Sequence, residues 1–124
     1  MRALLDTHAL IWALEGSSKL SKSARRVIED PQNEIIISAA SAWEIAVKKA
    51  MGRLAVPDNL LEVVDAAGFT RRSLGFAEAH RLESLPHLHS DPFDRMLIAH
   101  ALEEGAVIVT RDAEIARYPV QTIW

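Results

Sequence analysis

The sequence predicts an α/β fold in which a central parallel sheet is covered by helices on both faces. Short apolar runs suited to strands, above all Glu34–Ser38 and Ala106–Thr110, alternate along the chain with segments of helical periodicity. The unbroken β-branched character of these runs is typical of strands buried on both faces. Because strands and helices alternate throughout, we expect βαβ units and therefore a parallel sheet.

The predicted elements of the first half of the chain are bounded by recognisable start and stop signals. Gly16 closes the first helix, while Ser21 caps a second helix that Pro31 stops. Ser41 and Glu44 have the spacing of a capping box and predict the start of a third helix. The elements expected here are a strand at 3–5 and helices at 7–16 and 21–30, then a strand at 34–38 and a helix at 41–51.

The second half of the chain contains the strongest helix signal of the sequence. Asp91 is placed to cap a helix with Pro92 at its first position and Asp94 at its third, and Gly105 follows its end. Pro86 ends the helix that precedes it. The elements expected here are helices at 57–68, 76–85, 91–104 and 113–116, and strands at 69–74, 106–110 and 120–123.

Size and composition indicate one globular domain, residues 1–124, that is long enough to bury a core. The absence of cysteine excludes disulfides and thiolate metal sites. No apolar run approaches membrane-spanning length and Asp6 comes too early for a signal peptide, so we expect a cytoplasmic protein. The formal net charge of -3 counts mildly against a nucleic-acid binder without excluding one.

Four acids fall at positions that a parallel sheet brings to one edge. Asp6 and Asp112 follow strands, whereas Glu44 and Asp94 are expected in the first turns of helices that start near the strands' carboxyl ends. Each acid also has a purely structural interpretation, as a helix cap or a turn residue. All four together at one edge would repel one another unless a cation neutralised them or some took up protons.

The chemistry of such a cluster points to a hard divalent cation. An all-oxygen ligand set without cysteine favours Mg²⁺, with Mn²⁺ as the alternative. Mg²⁺ in proteins typically meets its substrate through phosphate oxygens. The acids therefore suggest hydrolysis of a phosphodiester, in which one or two metal ions activate water and stabilise the leaving oxygen.

Four motifs in order across nearly the whole chain resemble the PIN-domain family, and specifically its VapC-type ribonuclease toxins. They are Leu5-Asp6-Thr7-His8, Ser41-Ala42-Trp43-Glu44-Ile45 with Lys48, Asp91-Pro92-Phe93-Asp94-Arg95-Met96-Leu97-Ile98-Ala99, and Val109-Thr110-Arg111-Asp112. The resemblance implies a PIN-like three-layer α/β/α fold and an acidic Mg²⁺ or Mn²⁺ site that cuts RNA. It also implies a homodimer and inhibition by a cognate VapB-type antitoxin.

By position, the resemblance assigns Asp6, Glu44, Asp94 and Asp112 as the catalytic, metal-binding acids. Thr110 resembles a hydroxyl residue that supports this site. Many relatives carry a further Asp where this chain has Glu114, which leaves a metal role for that residue in doubt, and Asp91 remains a helix cap. Residues that could contact the RNA phosphates are Arg95, Arg111 and Lys48, each of which is equally well explained as a surface or structural charge.

Several alternatives stay open at this stage. A phosphatase or a receiver-like phospho-acceptor domain also uses acids and Mg²⁺ at strand ends, and a non-catalytic binding module would use the same acids only as caps. The spacing of His87 and His89 suits zinc, but the absence of cysteine and the loop context disfavour it. Trp12 and Trp43 could stack on bases, although packing in a core or an interface is the more common role of large aromatics.

Overall fold

A single five-stranded parallel sheet forms the centre of the computed structural model, which describes residues 1–124. Its elements are, in chain order, β1 (Arg2–Leu5), α1 (Thr7–Glu15), α2 (Lys22–Glu29), β2 (Glu34–Ser38), α3 (Ala39–Ala50), α4 (Leu60–Ala66), β3 (Thr70–Arg72), α5 (Phe76–Arg81), α6 (Pro92–Glu104), β4 (Val107–Val109), α7 (Ala113–Ala116) and β5 (Thr122–Ile123). The predicted fold class is confirmed.

The strand order β3-β2-β1-β4-β5 places β1 at the centre of the sheet. Ala3 of β1 is in register with Ile35 of β2 on one side and with Val107 of β4 on the other. The chain builds outward from β1 to β3, crosses back through α5 and α6, and then adds β4 and β5 on the opposite side. The direction of strand addition therefore reverses between β1 and β4, which is where open α/β sheets bind ligands.

Alternate residues of each strand enter two separate cores, one on each face of the sheet. Leu5, Ile35 and Ile37 pack with α1, α2 and α4 on one face. Leu4 and Ile36 pack with α6 and α7 on the other face. Because side chains alternate along a strand, a continuous apolar run supplies both layers of helices. None of the seven helices has the length and apolar character needed to cross a lipid bilayer.

The start of α3 differs from the predicted one, and the difference moves Glu44. The helix begins at Ala39 with Ser38 as its N-cap, whose hydroxyl accepts a hydrogen bond from the Ala40 backbone N–H at 3.0 Å. The capping box predicted for Ser41 and Glu44 is therefore wrong. Strand β2 passes into α3 without a loop because its last residue already caps the helix, so Glu44 lies in the second turn of the helix and not in the first.

The start of α6 agrees with the prediction. The Asp91 side chain accepts hydrogen bonds from the backbone N–H groups of Phe93 and Asp94 at 2.9 and 3.0 Å, with Pro92 at the first helical position. Gly105 ends the helix in the left-handed conformation, with φ of 63°. The capping role predicted for Asp91 is confirmed, and it fixes the orientation of the helix turn that carries Asp94.

Candidate active site

The candidate site lies beyond the carboxyl ends of β1 and β4, at the point where the direction of strand addition reverses. Asp6 follows β1 directly, and Thr110 and Asp112 follow β4. Asp94 approaches the same edge from the first turn of α6, the helix that precedes β4. Parallel strands end at a common edge, so the topology brings residues far apart in the sequence to one place.

Asp6 is a nearly buried carboxylate, 5% exposed, that also caps α1. Its Oδ1 accepts a hydrogen bond from the Ala9 backbone N–H at 2.7 Å, and its Oδ2 accepts one from the Thr110 hydroxyl at 2.5 Å. Burial raises the pKa of Asp6 above its ordinary value, although both hydrogen bonds oppose that rise. The negative charge of Asp112 raises it further, so these two acids interact electrostatically.

Thr110 links the ends of β1 and β4. Its buried hydroxyl donates to Asp6 and also accepts a hydrogen bond from the Asp112 backbone N–H at 3.0 Å. Asp112 in turn caps α7 by accepting a hydrogen bond from the Glu114 N–H at 2.9 Å. These contacts agree with the role expected for Thr110, because its side chain orients both Asp6 and Asp112.

Asp94 is the most strongly perturbed of the acids. Its pKa is raised from 3.8 to about 6, mainly by burial. A hydrogen bond from His89 opposes this rise, and the negative charges of Asp91 and Asp112 contribute to it. The negative charge of Asp112 thus raises the pKa of both Asp6 and Asp94. Three of the four predicted acids therefore share one electrostatic environment.

Sequence reasoning missed Tyr118 as a functional candidate, and it considered His89 only as a zinc ligand and not as a partner of Asp94. His89 Nε2 lies 3.1 Å from Asp94 Oδ2, and its Nδ1 lies 2.7 Å from the Tyr118 hydroxyl. That hydroxyl accepts hydrogen bonds from Arg95 and from the backbone N–H groups of Leu88 and His89, so its own proton is directed to Nδ1. The proton of His89 is then on Nε2, where it binds Asp94. No sequence pattern links Tyr118 to Asp94, because the contact depends on how the 86–91 loop packs over α7.

Glu44 is close to the site but is not brought into contact with the other acids. Its side chain, 6% exposed, pairs with Lys48 one turn further along α3 at 2.6 Å. The Thr7 hydroxyl donates to the Ser41 hydroxyl at 3.0 Å and holds α3 against the start of α1. Glu44 therefore lies about one helical turn after Ser41, which contacts Thr7, the residue that follows Asp6.

The donor set fits a divalent cation, although the side chains are not arranged around one. All four acids offer oxygen ligands, and the raised pKa values of Asp6 and Asp94 reflect buried negative charge that a cation would stabilise. No group of three or more His, Cys, Asp or Glu side chains has the spacing of a metal site. Each carboxylate is instead hydrogen-bonded to a nearby donor, which keeps like charges apart.

Of the three residues predicted to contact RNA, only Arg111 faces the site unpaired. Its guanidinium carbon lies 4.4 Å from the centre of the Trp12 ring, beside an open cavity of about 370 Å³ that Asp6 and Asp112 also line. Lys48 is bound to Glu44. Arg95 donates hydrogen bonds to the Pro86 carbonyl at 2.8 Å and to the Tyr118 hydroxyl at 3.0 Å, which favours the structural interpretation of this residue over a contact with phosphate.

The remaining candidates lie outside the site. Glu114 forms an ion pair with Arg117 at 2.6 Å, which accounts for its side chain without a metal. His87 is exposed, whereas its predicted zinc partner His89 is bound to Tyr118 and Asp94. Trp43 packs edge-on against Phe93 with ring centres 4.3 Å apart, on the side of α3 that faces α6.

Comparison with known proteins agrees with this architecture. The family model of the PIN domain matches residues 3–121. Ribonuclease VapC22 of Mycobacterium tuberculosis is 32% identical over 132 aligned residues, which cover 98% of this chain and 97% of that protein. Ribonuclease VapC16 of the same organism is 47% identical over a shorter stretch of 34 residues, or 27% of this chain.

Several solved structures with a similar fold come from toxin–antitoxin complexes. VapBC2 from Rickettsia felis, bound to a DNA fragment from its promoter, superposes with a TM-score of 0.70 at 18% identity, covering 99% of this chain and 98% of the matched one. DNA-bound VapBC from Salmonella typhimurium superposes with a TM-score of 0.70 at 20% identity, covering 99% and 97%. At these identities the superpositions establish the fold. The nearly full-length family match and the 32% identity to a nearly full-length relative show that the chain belongs to the PIN domain family.

Proposed function

We propose that the chain is a divalent-metal-dependent endoribonuclease, the toxin of a VapBC-type toxin–antitoxin pair. The observation that carries the proposal is that Asp6, Asp94 and Asp112 lie at the reversal point of the sheet, where Asp6 and Asp112 line one open cavity. A nearly full-length relative named as a ribonuclease supports the choice of RNA as the substrate. Membership of the PIN family favours this function over a receiver-like domain or a phosphatase.

In the proposed mechanism, Asp6 and Asp94 would hold the principal metal ion, and Asp112 and Glu44 would complete the site. Mg²⁺, or Mn²⁺ in its place, would supply Lewis-acid activation of water and stabilisation of the leaving oxygen. Thr110 orients Asp6, and His89 orients Asp94 through its Nε2–H. Such supporting hydrogen bonds keep ligating carboxylates in place and contribute substantially to metal affinity.

The overall reaction is hydrolysis of one phosphodiester bond. The oxygen of a water molecule forms a bond to phosphorus, the bond from phosphorus to the ribose oxygen breaks, and that oxygen leaves with a proton. Arg111 is unpaired at the cavity and can contact the phosphate as negative charge develops there. Because the substrate is cellular RNA, the activity belongs in the cytoplasm.

Cleavage of RNA by the purified protein with Mg²⁺ or Mn²⁺ tests the proposal. Asp6→Ala should abolish cleavage, whereas Asp65→Asn should not, because Asp65 is exposed and pairs with Arg71 on the far edge of the sheet. Mapping of cleaved ends in total RNA after brief expression would identify the substrate. Hydrolysis of small phosphate esters without cleavage of RNA would favour the phosphatase alternative and contradict the proposal. Failure of calorimetry to detect any Mn²⁺ binding would instead favour a purely structural role for the acids.

We further propose a homodimer and a VapB-type antitoxin as partners. The VapBC complexes among the structural neighbours support the antitoxin. Trp43, Val47 and Met51 form an exposed apolar row on α3 at intervals of one helical turn, which is the kind of surface that a partner covers. Light scattering of the isolated chain would determine the oligomeric state. Copurification with a small protein encoded beside its gene would test the antitoxin.

A further inference from the structure

An aromatic and cationic platform borders the acidic site and is not explained by the proposed chemistry. It consists of Trp12 and His8 on α1, together with Arg111 after β4. These residues line the same open cavity of about 370 Å³ as Asp6, Asp112 and Ala113. That volume lies within the range of cavities that bind small ligands, roughly 300 to 1,000 Å³.

Trp12 is held firmly in place. His8 precedes it by one helical turn, and the two rings stack with centres 5.5 Å apart and an angle of 25° between their planes. Trp124 packs against the indole edge-on with ring centres 5.8 Å apart, and the half-buried ring also packs against the core beneath α1. The aromatic surface beside the cavity is therefore preorganised.

Two basic side chains meet this surface without an acidic partner. The Arg111 guanidinium lies 4.4 Å from the centre of the Trp12 ring, and the Lys19 ammonium lies 5.9 Å from it. Neither side chain forms an ion pair or a side-chain hydrogen bond, although Asp112 is adjacent to Arg111 in the sequence. A cation held on an aromatic ring keeps its charge and its donors available for an anion.

We propose that the platform of Trp12, His8 and Arg111 binds one unpaired nucleotide of the RNA, next to the phosphate that is cut. The inference rests on the proposed function. The nucleobase would stack against the aromatic and guanidinium surfaces, and Arg111 and Lys19 would contact the flanking phosphates. Single-stranded RNA is commonly bound in this way, by bases stacked on aromatic side chains or on arginine, whereas a paired base cannot expose its face.

The platform also explains how a site lined by carboxylates could bind negatively charged RNA. Asp6 and Asp112 line the same cavity as Arg111, so a phosphate entering there meets both signs of charge. An arginine and a lysine that no acid of the chain neutralises would supply the local attraction that the overall charge of -3 does not. The platform, and not the metal ligands, would then produce the preference for single-stranded RNA.

The inference is tested by RNA binding in a background that cannot cleave. Anisotropy of a labelled single-stranded RNA would be measured with Asp94→Asn alone and combined with Trp12→Phe, Trp12→Ala or Arg111→Gln. Loss of a stacked base is expected to weaken binding by about 5- to 150-fold for Trp12→Ala, with a smaller loss for Trp12→Phe. Phe76→Ala is the matched control, because Phe76 is an aromatic residue on α5 that is 95% exposed.

Activity measurements provide a second readout. In the cleaving protein, His8→Ala should raise KM with little change in kcat, whereas Arg111→Gln should raise KM and also lower kcat. Both should shift the map of cleaved sites. Both side chains are exposed, so these variants leave the packing of Trp12 against Trp124 intact. Binding of double-stranded RNA should be unaffected by Trp12→Phe, Trp12→Ala and His8→Ala, because a paired base cannot stack on the platform.

The outcomes separate this inference from the proposed function. If the unaltered protein cleaves no RNA, the proposed function fails and the inference fails with it. If the unaltered protein cleaves RNA, but Trp12→Phe, Arg111→Gln and His8→Ala leave affinity, KM and the cleavage map unchanged, only the inference is overturned. A loss of antitoxin affinity with unchanged RNA binding would assign the platform to a protein partner and would likewise overturn it.

Discussion

Asp94→Asn removes a carboxylate whose pKa is raised by burial, and it should therefore stabilise the fold while abolishing activity. The folded-state pKa of Asp94 is about 6, compared with an ordinary value of 3.8. Stability associated with the protonated form is thus present below about pH 4 and is lost as the pH rises through 6. This difference in the pKa of Asp94 corresponds to about 3 kcal/mol in the free energy of unfolding at pH 7.5. The side chain of Asp94 is 19% exposed.

Asparagine keeps the size of the side chain and an oxygen that can accept the hydrogen bond from His89. We therefore expect the variant to gain up to about 3 kcal/mol in free energy of unfolding at pH 7.5, and the gain to disappear below about pH 4. Urea denaturation across this pH range, in the presence of EDTA, measures the difference. Addition of Mn²⁺ should then stabilise the unaltered protein more than the variant, because binding to the folded state shifts its unfolding equilibrium.

Asp58→Asn is the matched control for this experiment. Asp58 is 99% exposed, and its hydrogen bond to Lys49 lowers its pKa, so its ionised form is favoured in the folded state. The control should gain no stability at pH 7.5. Destabilisation by Asp94→Asn at neutral pH, or a stability difference that does not change with pH, would refute the argument that Asp94 is a desolvated charge.

Three further substitutions test the contacts around the acids. Thr110→Val removes the donor to Asp6 without changing the side chain's shape, and it should cost about 1–3 kcal/mol in urea denaturation and reduce RNA cleavage. Lys48→Met should destabilise the protein more than Glu44→Gln, because it leaves the carboxylate of Glu44 nearly buried and unpaired; equal losses of stability would contradict this. Tyr118→Phe should cost about 1–3 kcal/mol and lower kcat for RNA, since it frees the ring of His89; an unchanged kcat would show that this ring does not position Asp94.

Local signals predicted most elements well. The Asp91–Pro92 cap of α6 and the glycines that end α1 and α6 depend on contacts within a few residues, so the sequence determines them. The error at α3 arose because Ser41 and Ser38 are both plausible caps, and which serine caps the helix depends on where β2 ends. Ser41 is instead buried against Thr7, a contact across 34 residues.

The candidate acids could be named from the sequence because each was predicted to follow a strand or to begin a helix near one edge of the sheet. Their surroundings could not be predicted in the same way. The hydrogen bond from Thr110 to Asp6 joins residues 104 positions apart, and the pairing of His89 with Tyr118 requires the 86–91 loop to pack over α7. The stacking of Arg111 on Trp12 likewise depends on β1 and β4 being neighbours.

The sequence by itself determined the fold class, the caps of α2 and α6, and the identity of the candidate acids, because these follow from periodicity and from interactions between residues close in the chain. Only the tertiary structure decided the strand order, the coupling of Asp112 to Asp6 and Asp94, and the separate pairing of Glu44 with Lys48. The physical reason is that a pKa depends on burial and on charges in space. Those are properties of the folded sheet edge, where β1 and β4 meet after 100 residues of intervening chain.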